Sequence, residues 1–257
     1  MSVSWLRPYV VVFATATIDG RIASRTGFSK LSCSEDKRRQ FWLRSKVDAV
    51  LVGVNTIIVD NPTLRPKEFP HTRPRYYRVV LDGRLRVPLN ARILDVSQYP
   101  TIVITSSRSD RSKIAELRKR GVEVIELDTE PPLPLDKVLP KLLDYGIRIL
   151  MVEGGGETLW HFFRYGVVDE LRVTYTSTVF GGREATSLVG GEGFSDTSES
   201  PKLKPVLLGL CTCGNEIHVI YRAMDVRGTP IEKPDLDTLR NFTLLIDLRE
   251  GLWKPVT

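Results

Sequence analysis

Three histidines and three cysteines in 257 residues leave little material for a metal centre or a disulfide framework. Cys33, Cys211 and Cys213 make too few ligands for a tetrahedral zinc site without histidines at suitable spacing, and none stand there. Cys211-Thr212-Cys213 falls in a strand pattern that sets both thiols on one face, and packing is their expected role rather than metal or redox work. The longest apolar runs fall far short of the roughly 20 residues that span a bilayer, and the N-terminus lacks a signal-peptide core with a cleavage site. A cytoplasmic location and no membrane partner are expected. There is no internal repeat or low-complexity tract, and 42% hydrophobic with 26% charged residues is the balance of a folded globular chain.

The net charge of +6 raises nucleic acid as a partner, but the basic residues are scattered apart from Lys37-Arg38-Arg39 and Arg73 to Arg78. No basic motif interleaved with aromatics appears. An anionic small molecule accounts for the excess as well, and no nucleic-acid partner is expected.

The informative stretch is Val47 to Lys67. Val47 to Val52 is a nearly unbroken apolar run of strand length, rich in β-branched residues, as suits a strand buried on both faces. Gly53 ends it, and Thr56 and Asp60 follow four residues apart, on one face of a helical turn. Open α/β sheets bind ligands outside the carboxyl ends of their strands, so this hydroxyl and carboxylate are candidate site residues; simple capping is the alternative. Asn61-Pro62-Thr63 then breaks the helix and leads to Arg65 and Lys67.

A second buried strand, Ile147 to Val152, runs into Glu153-Gly154-Gly155-Gly156-Glu157-Thr158 and a helix from Thr158 to Tyr165. Three glycines at that place let backbone approach a ligand, and their N–H groups can cradle a pyrophosphate. The spacing is neither Gly-x-Gly-x-x-Gly nor a P-loop, and a tight turn would explain it equally. Ser106-Ser107-Arg108-Ser109 follows the strand Thr101 to Thr105 and precedes a helix from Asp110 to Arg120: an anion site by composition, or a cap. Ser32-Cys33-Ser34-Glu35 has the form of a capping box opening a helix whose apolar face includes Phe41, Leu43 and Val47. Further strands are expected at Tyr9 to Thr17, Arg78 to Asp82, Val122 to Leu127, and in a late hairpin about Gly214-Asn215.

Gly53-x-x-Thr56-x-x-x-Asp60-Asn61-Pro62-x-Leu64, together with Ala16-Thr17-Ile18-Asp19-Gly20-Arg21-Ile22-Ala23 and the glycine turn after Glu153, resembles the reductases of riboflavin biosynthesis. These comprise the archaeal and fungal diaminopyrimidine reductases and the reductase half of the bacterial bifunctional enzyme. The resemblance runs from about Pro8 to Arg222. It implies an α/β, dihydrofolate-reductase-like fold: a mostly parallel central sheet flanked by helices, with an antiparallel C-terminal hairpin at the edge. It implies NADPH as cofactor, held by Ala16, Thr56, Asp60, Asp82, Ser106, Ser107, Arg108, Gly154, Gly155, Gly156, Glu157 and Thr158. Lys30, Arg44, Leu64, Lys67 and Glu153 fall to the substrate, with Arg44 and Lys67 on its phosphate and Arg65 a further candidate there. Asp60 and Glu153 are the carboxylates nominated for catalysis.

The reaction so implied reduces 2,5-diamino-6-(5-phosphoribosylamino)pyrimidin-4(3H)-one to its ribitylamino form, with hydride going to C1′ of the ring-opened imine. The absent deaminase zinc signature, His-x-Glu with Pro-Cys-x-x-Cys, favours that diamino substrate over the deaminated uracil one. A dihydrofolate or pteridine reductase and a non-catalytic nucleotide- or RNA-binding protein remain as other readings. The family implies a homodimer. Residues 1–224 are expected to form the reductase domain. Residues 225–257, with a strand at Phe242 to Leu248 and Trp253 nearby, are expected as an extension docked on the domain or its partner, since about thirty residues cannot bury their own core.

Overall fold

A computed structural model describes residues 5–236, 242–249 and 254–255. Its organising element is one sheet, formed by β1 (Tyr9–Thr17), β2 (Ala49–Gly53), β3 (Tyr77–Leu81), β4 (Thr101–Ser106), β5 (Glu123–Leu127), β6 (Ile149–Val152), β7 (Glu170–Thr176), β8 (Leu203–Cys211), β9 (Glu216–Ala223), β10 (Phe242–Asp247) and β11 (Lys254–Pro255). Across the sheet the order is β11-β10-β8-β9-β7-β1-β6-β2-β3-β4-β5. From β7 to β5 every pairing is parallel, and from β7 outward through β9, β8, β10 and β11 every pairing is antiparallel. The α/β class and its antiparallel edge are those expected from the sequence.

Burial on both faces explains the unbroken apolar runs. Val10 and Val12 of β1 and Ala49 and Leu51 of β2 pack on one face with α4 (Leu135–Asp144) and α5 (Gly156–Arg164). Val11, Phe13, Val50 and Val52 turn to the other face, with α1 (Ser34–Lys46), α2 (Val54–Asp60) and α3 (Arg111–Lys119). The period of two in the strands sorts one continuous hydrophobic stretch into two cores.

Helix α1 departs from the apolar-face expectation. Its N-cap is Cys33, whose thiol accepts from Asp36 N, and besides Leu43 its buried residues are Asp36, Arg39, Arg44 and Ser45. A helix that turns charges inward must give each of them a partner, and these partners shape both sites described below.

The segment after residue 224 adds to the body. Thr229–Pro230 pairs with Leu6–Arg7, Glu232 binds Arg73 through two 2.9 Å contacts, and the buried Leu236 offers its carbonyl to Arg172 at 2.6 Å. β10 then extends the sheet beyond the β8–β9 hairpin. Trp253 lies outside the described residues. Among those described, no helix is long and apolar enough to cross a membrane.

Candidate active site

The carboxyl ends of β6, β2, β3 and β4 lie side by side along one edge of the sheet because these neighbours are all parallel. The turns leaving β2 and β6 interlock there. Gly53 N donates to Gly154 O at 3.1 Å, and Gly155 N donates to the Thr56 hydroxyl at 3.0 Å. A side chain at Gly53 would stand 2.2 Å from Thr158 Oγ1, so glycine is what allows the two turns this approach. Helix α5 starts at Gly156, two residues earlier than the sequence suggests, and Glu157 lies in its first turn, where its carboxylate accepts from Gly191 N at 3.0 Å.

In front of this junction opens a cavity of about 430 Å³. Of the residues nominated from the sequence, it gathers Lys30, Arg44, Thr56, Asp60, Leu64, Glu153 and Gly155 in its wall. Arg44 does not stand free in it. Its Nε and Nη2 each donate to Glu153 at 2.6 Å, Nη1 donates to Arg65 O at 3.0 Å, and Gln40 adds a 3.1 Å bond to Glu153. Both side chains are nearly buried, so Arg44 and Glu153 form one neutral fork-to-carboxylate unit in the wall. The cations left for an anion are Lys30 and Lys37, both exposed and lining the cavity, with no ion-pair partner among the described residues.

Lys37 and Gln40 were missed from the sequence, as was Thr15. Lys37, Gln40 and Arg44 are three and four residues apart on α1, a single helical face, and that spacing was the available signal. Lys67, by contrast, sits outside the cavity with its ammonium 4.8 Å from the Phe41 ring centroid. Asp60 is held at the mouth, where Ser29 Oγ donates to it at 3.4 Å. Desolvation pushes its carboxyl above the usual range, and the weaker pull of the Ser29 hydroxyl acts the other way.

The remaining cofactor candidates line the edge beyond the cavity or lie behind it. Ala16 is fully buried in the core; the β1 residues reaching the cavity are Phe13, Ala14 and Thr15. Asp82 is turned inward, its two oxygens accepting Arg86 N and Val87 N at 2.8 and 2.7 Å, so it shapes the loop after β3. Ser106 Oγ donates to Thr129 O at 2.7 Å, Ser107 Oγ donates to Asp128 at 3.4 Å, and the exposed Arg108 pairs with Glu130. The α3 N-terminus is already capped by Asp110, which accepts from Ser112 N and Lys113 N, so the anion site expected of that helix end is filled by the chain itself. Beside Ser106 the Thr129 hydroxyl is buried without a hydrogen-bond partner among the described residues.

The family match decides how this edge is read: residues 8–219 match the family described as RibD C-terminal domain. The chain belongs to that family. It is 38% identical over 219 residues to a 2,5-diamino-6-ribosylamino-4(3H)-pyrimidinone 5′-phosphate reductase of Methanothermobacter thermautotrophicus, covering 84% of this chain and 98% of that one. A protein of the same name from Aquifex aeolicus is 34% identical over 227 residues, covering 86% and 93%. Among solved structures it is similar to a deaminase/5-amino-6-(5-phosphoribosylamino)uracil reductase of Thermotoga maritima, with a TM-score of 0.69 and 26% identity over 84% of this chain. The RibD-type chain spans 57% of that longer protein. The RibD C-terminal domain match thus contains the cavity, the interlocked turns and the whole parallel half of the sheet.

Proposed function

We propose that the chain is an NADPH-dependent reductase that converts 2,5-diamino-6-(5-phosphoribosylamino)pyrimidin-4(3H)-one to its ribitylamino derivative in riboflavin biosynthesis. The observation that carries this reading is the cavity itself, in which a glycine turn, a neutralised Arg44–Glu153 wall and two lysines without an ion-pair partner among the described residues converge. The residues present suit a dinucleotide. The Gly154 to Gly156 turn and the start of α5 would hold the pyrophosphate, while Ser107, Arg108 and the orphaned Thr129 hydroxyl lie farther along the same edge for the adenosine end. When bound, the cofactor supplies hydride.

The chain's own residues bind, orient and protonate. Lys30 and Lys37 take the substrate phosphate through charge-assisted hydrogen bonds. Gln40, Arg44 and Glu153 present a fixed polar wall for the pyrimidine, and Leu64 contributes an apolar one. Reduction of the ring-opened C1′=N bond adds hydride to C1′ and one proton to nitrogen. Asp60, at the mouth with its carboxyl made less acidic, is the group suited to give that proton. Glu153, with three donors on its oxygens, is suited to position.

Loss of NADPH absorbance should be rapid with the diaminopyrimidine ribotide, slower with its deaminated analogue and absent with dihydrofolate. Turnover of dihydrofolate alone, or of none of the three, sinks the reading. In the same assay Lys30→Ala/Lys37→Ala should raise KM for the ribotide roughly tenfold per lysine while kcat holds, since the phosphate is remote from the reacting bond. A fall in kcat with KM unchanged would place the phosphate elsewhere.

We infer a homodimer as well. Leu210 stands opposite both Ile217 and Leu244 across three outer strands, and all three are exposed, an apolar stripe suited to a second copy. Light scattering at twice the 29.0 kDa chain mass checks it. A phosphorylated substrate does not cross membranes unaided, which supports action in the cytoplasm.

A further inference from the structure

Away from the cavity, the N-cap of α1 meets the tip of the β8–β9 hairpin. There the sulfurs of Cys33, Cys211 and Cys213 and a carboxylate oxygen of Glu216 all lie within 4.8 Å of one another. Cys33 Sγ and Cys211 Sγ are 3.7 Å apart. Metal–sulfur bonds of about 2.3 Å at a tetrahedral angle separate two sulfurs by about 3.8 Å, so this pair already spans one edge of such a tetrahedron.

The surrounding groups hold the donors in place. Cys33 N donates to Glu216 Oε1 at 2.6 Å, which fixes the carboxylate and leaves Oε2 turned to the thiols, 3.0 Å from Cys33 Sγ. Arg39 donates to Cys211 Sγ at 3.5 and 3.4 Å and to Glu216 Oε2 at 3.5 Å, and its own position is set by Asp36 and by the Phe242 ring 4.8 Å below it.

The geometry points to a structural zinc site in which Cys33, Cys211, Cys213 and Glu216 close a tetrahedron around one ion. Thiolate ligands select a soft or borderline ion over magnesium or calcium, and four protein ligands leave no open position for catalysis. Three thiolates and one carboxylate against a divalent ion leave two negative charges, of which Arg39 offsets one through its N–H···S contacts. On binding, each thiol loses its proton to solvent and the ion takes its place; no electron is transferred. The consequence reaches the cavity, because Lys30, Leu31 and Ser32, immediately before Cys33, line it. The ion clamps that rim to the antiparallel half of the sheet.

The full-length protein, purified without oxygen or chelator, should carry about one zinc per chain by metal analysis. Its cobalt(II) form should show the visible bands of a tetrahedral ion with thiolate charge transfer in the near ultraviolet. Cys213→Ser removes the half-exposed ligand and should weaken zinc roughly a hundredfold in chelator competition, with the circular dichroism of the fold kept. If that variant does not fold, the cobalt spectrum of the unaltered protein decides. A protein that takes up neither ion, or zinc affinity that ignores Cys213→Ser, overturns the site. So does a Cys33–Cys211 disulfide in peptides from cells with a reducing cytosol.

Discussion

Arg44→Ala is expected to cost about 3–5 kcal/mol of stability, among the largest effects of any single substitution here. The reason is what it leaves behind. Glu153 would stay in the wall with the Gln40 amide in place of a fork that donates twice at 2.6 Å, while its side chain is 6% exposed. A buried carboxylate stripped of its counter-charge is far more costly than the absence of the pair as a whole, so the double variant Arg44→Met/Glu153→Leu should recover most of the loss. Arg44→Lys should fall between, since an ammonium cannot reach both oxygens and Arg65 O together. Urea unfolding of the four proteins checks the series. A loss below about 1 kcal/mol for Arg44→Ala would mean that the pair behaves as a solvated surface contact.

Asp60→Asn should lower kcat for the ribotide by roughly 10²–10⁴ with little change in stability, because the amide keeps the size and loses the proton. The pH dependence follows from the direction of the shift. Desolvation raises the folded pKa of Asp60, so the carboxyl stays protonated to a higher pH than an exposed aspartate would. As a proton donor it supports turnover below that pKa, and the rate falls as pH rises through it, about tenfold per unit. The variant should lose this limb and show a low, flat profile. Its stability should lose the corresponding dependence, in which the protonated form favours the fold at low pH and ionisation weakens it as pH rises. A pH profile unchanged by Asp60→Asn would assign the proton to solvent or to another group.

Much of the fold is legible in the chain itself. Runs such as Val47 to Val52 declare buried parallel strands, because no alternation is needed when both faces are covered. Gly53 and the three glycines after Glu153 mark the turns that meet at the candidate site, and Thr56 and Asp60, nominated from their spacing and the family motif, line its cavity. Helix α1 misled, because its inward face is charged and a hydrophobic pattern does not describe it. Lys67 and Asp82 were drawn from motif position, which fixes the place in the chain but not the direction of a side chain. Asp82 turned inward because the N–H groups of Arg86 and Val87 had to be satisfied.

Composition, periodicity and punctuation act over a few residues, and at that range the chain alone set its strands, its class and the turns that meet at the candidate site. Which charges neutralise one another was settled only by assembly. Arg44 finds Glu153 across 109 positions, and Cys33 meets Cys211 across 178 and Glu216 across 183. Coulomb attraction and ligand geometry depend on distances in space, and those distances exist only once the sheet has brought remote strand ends together.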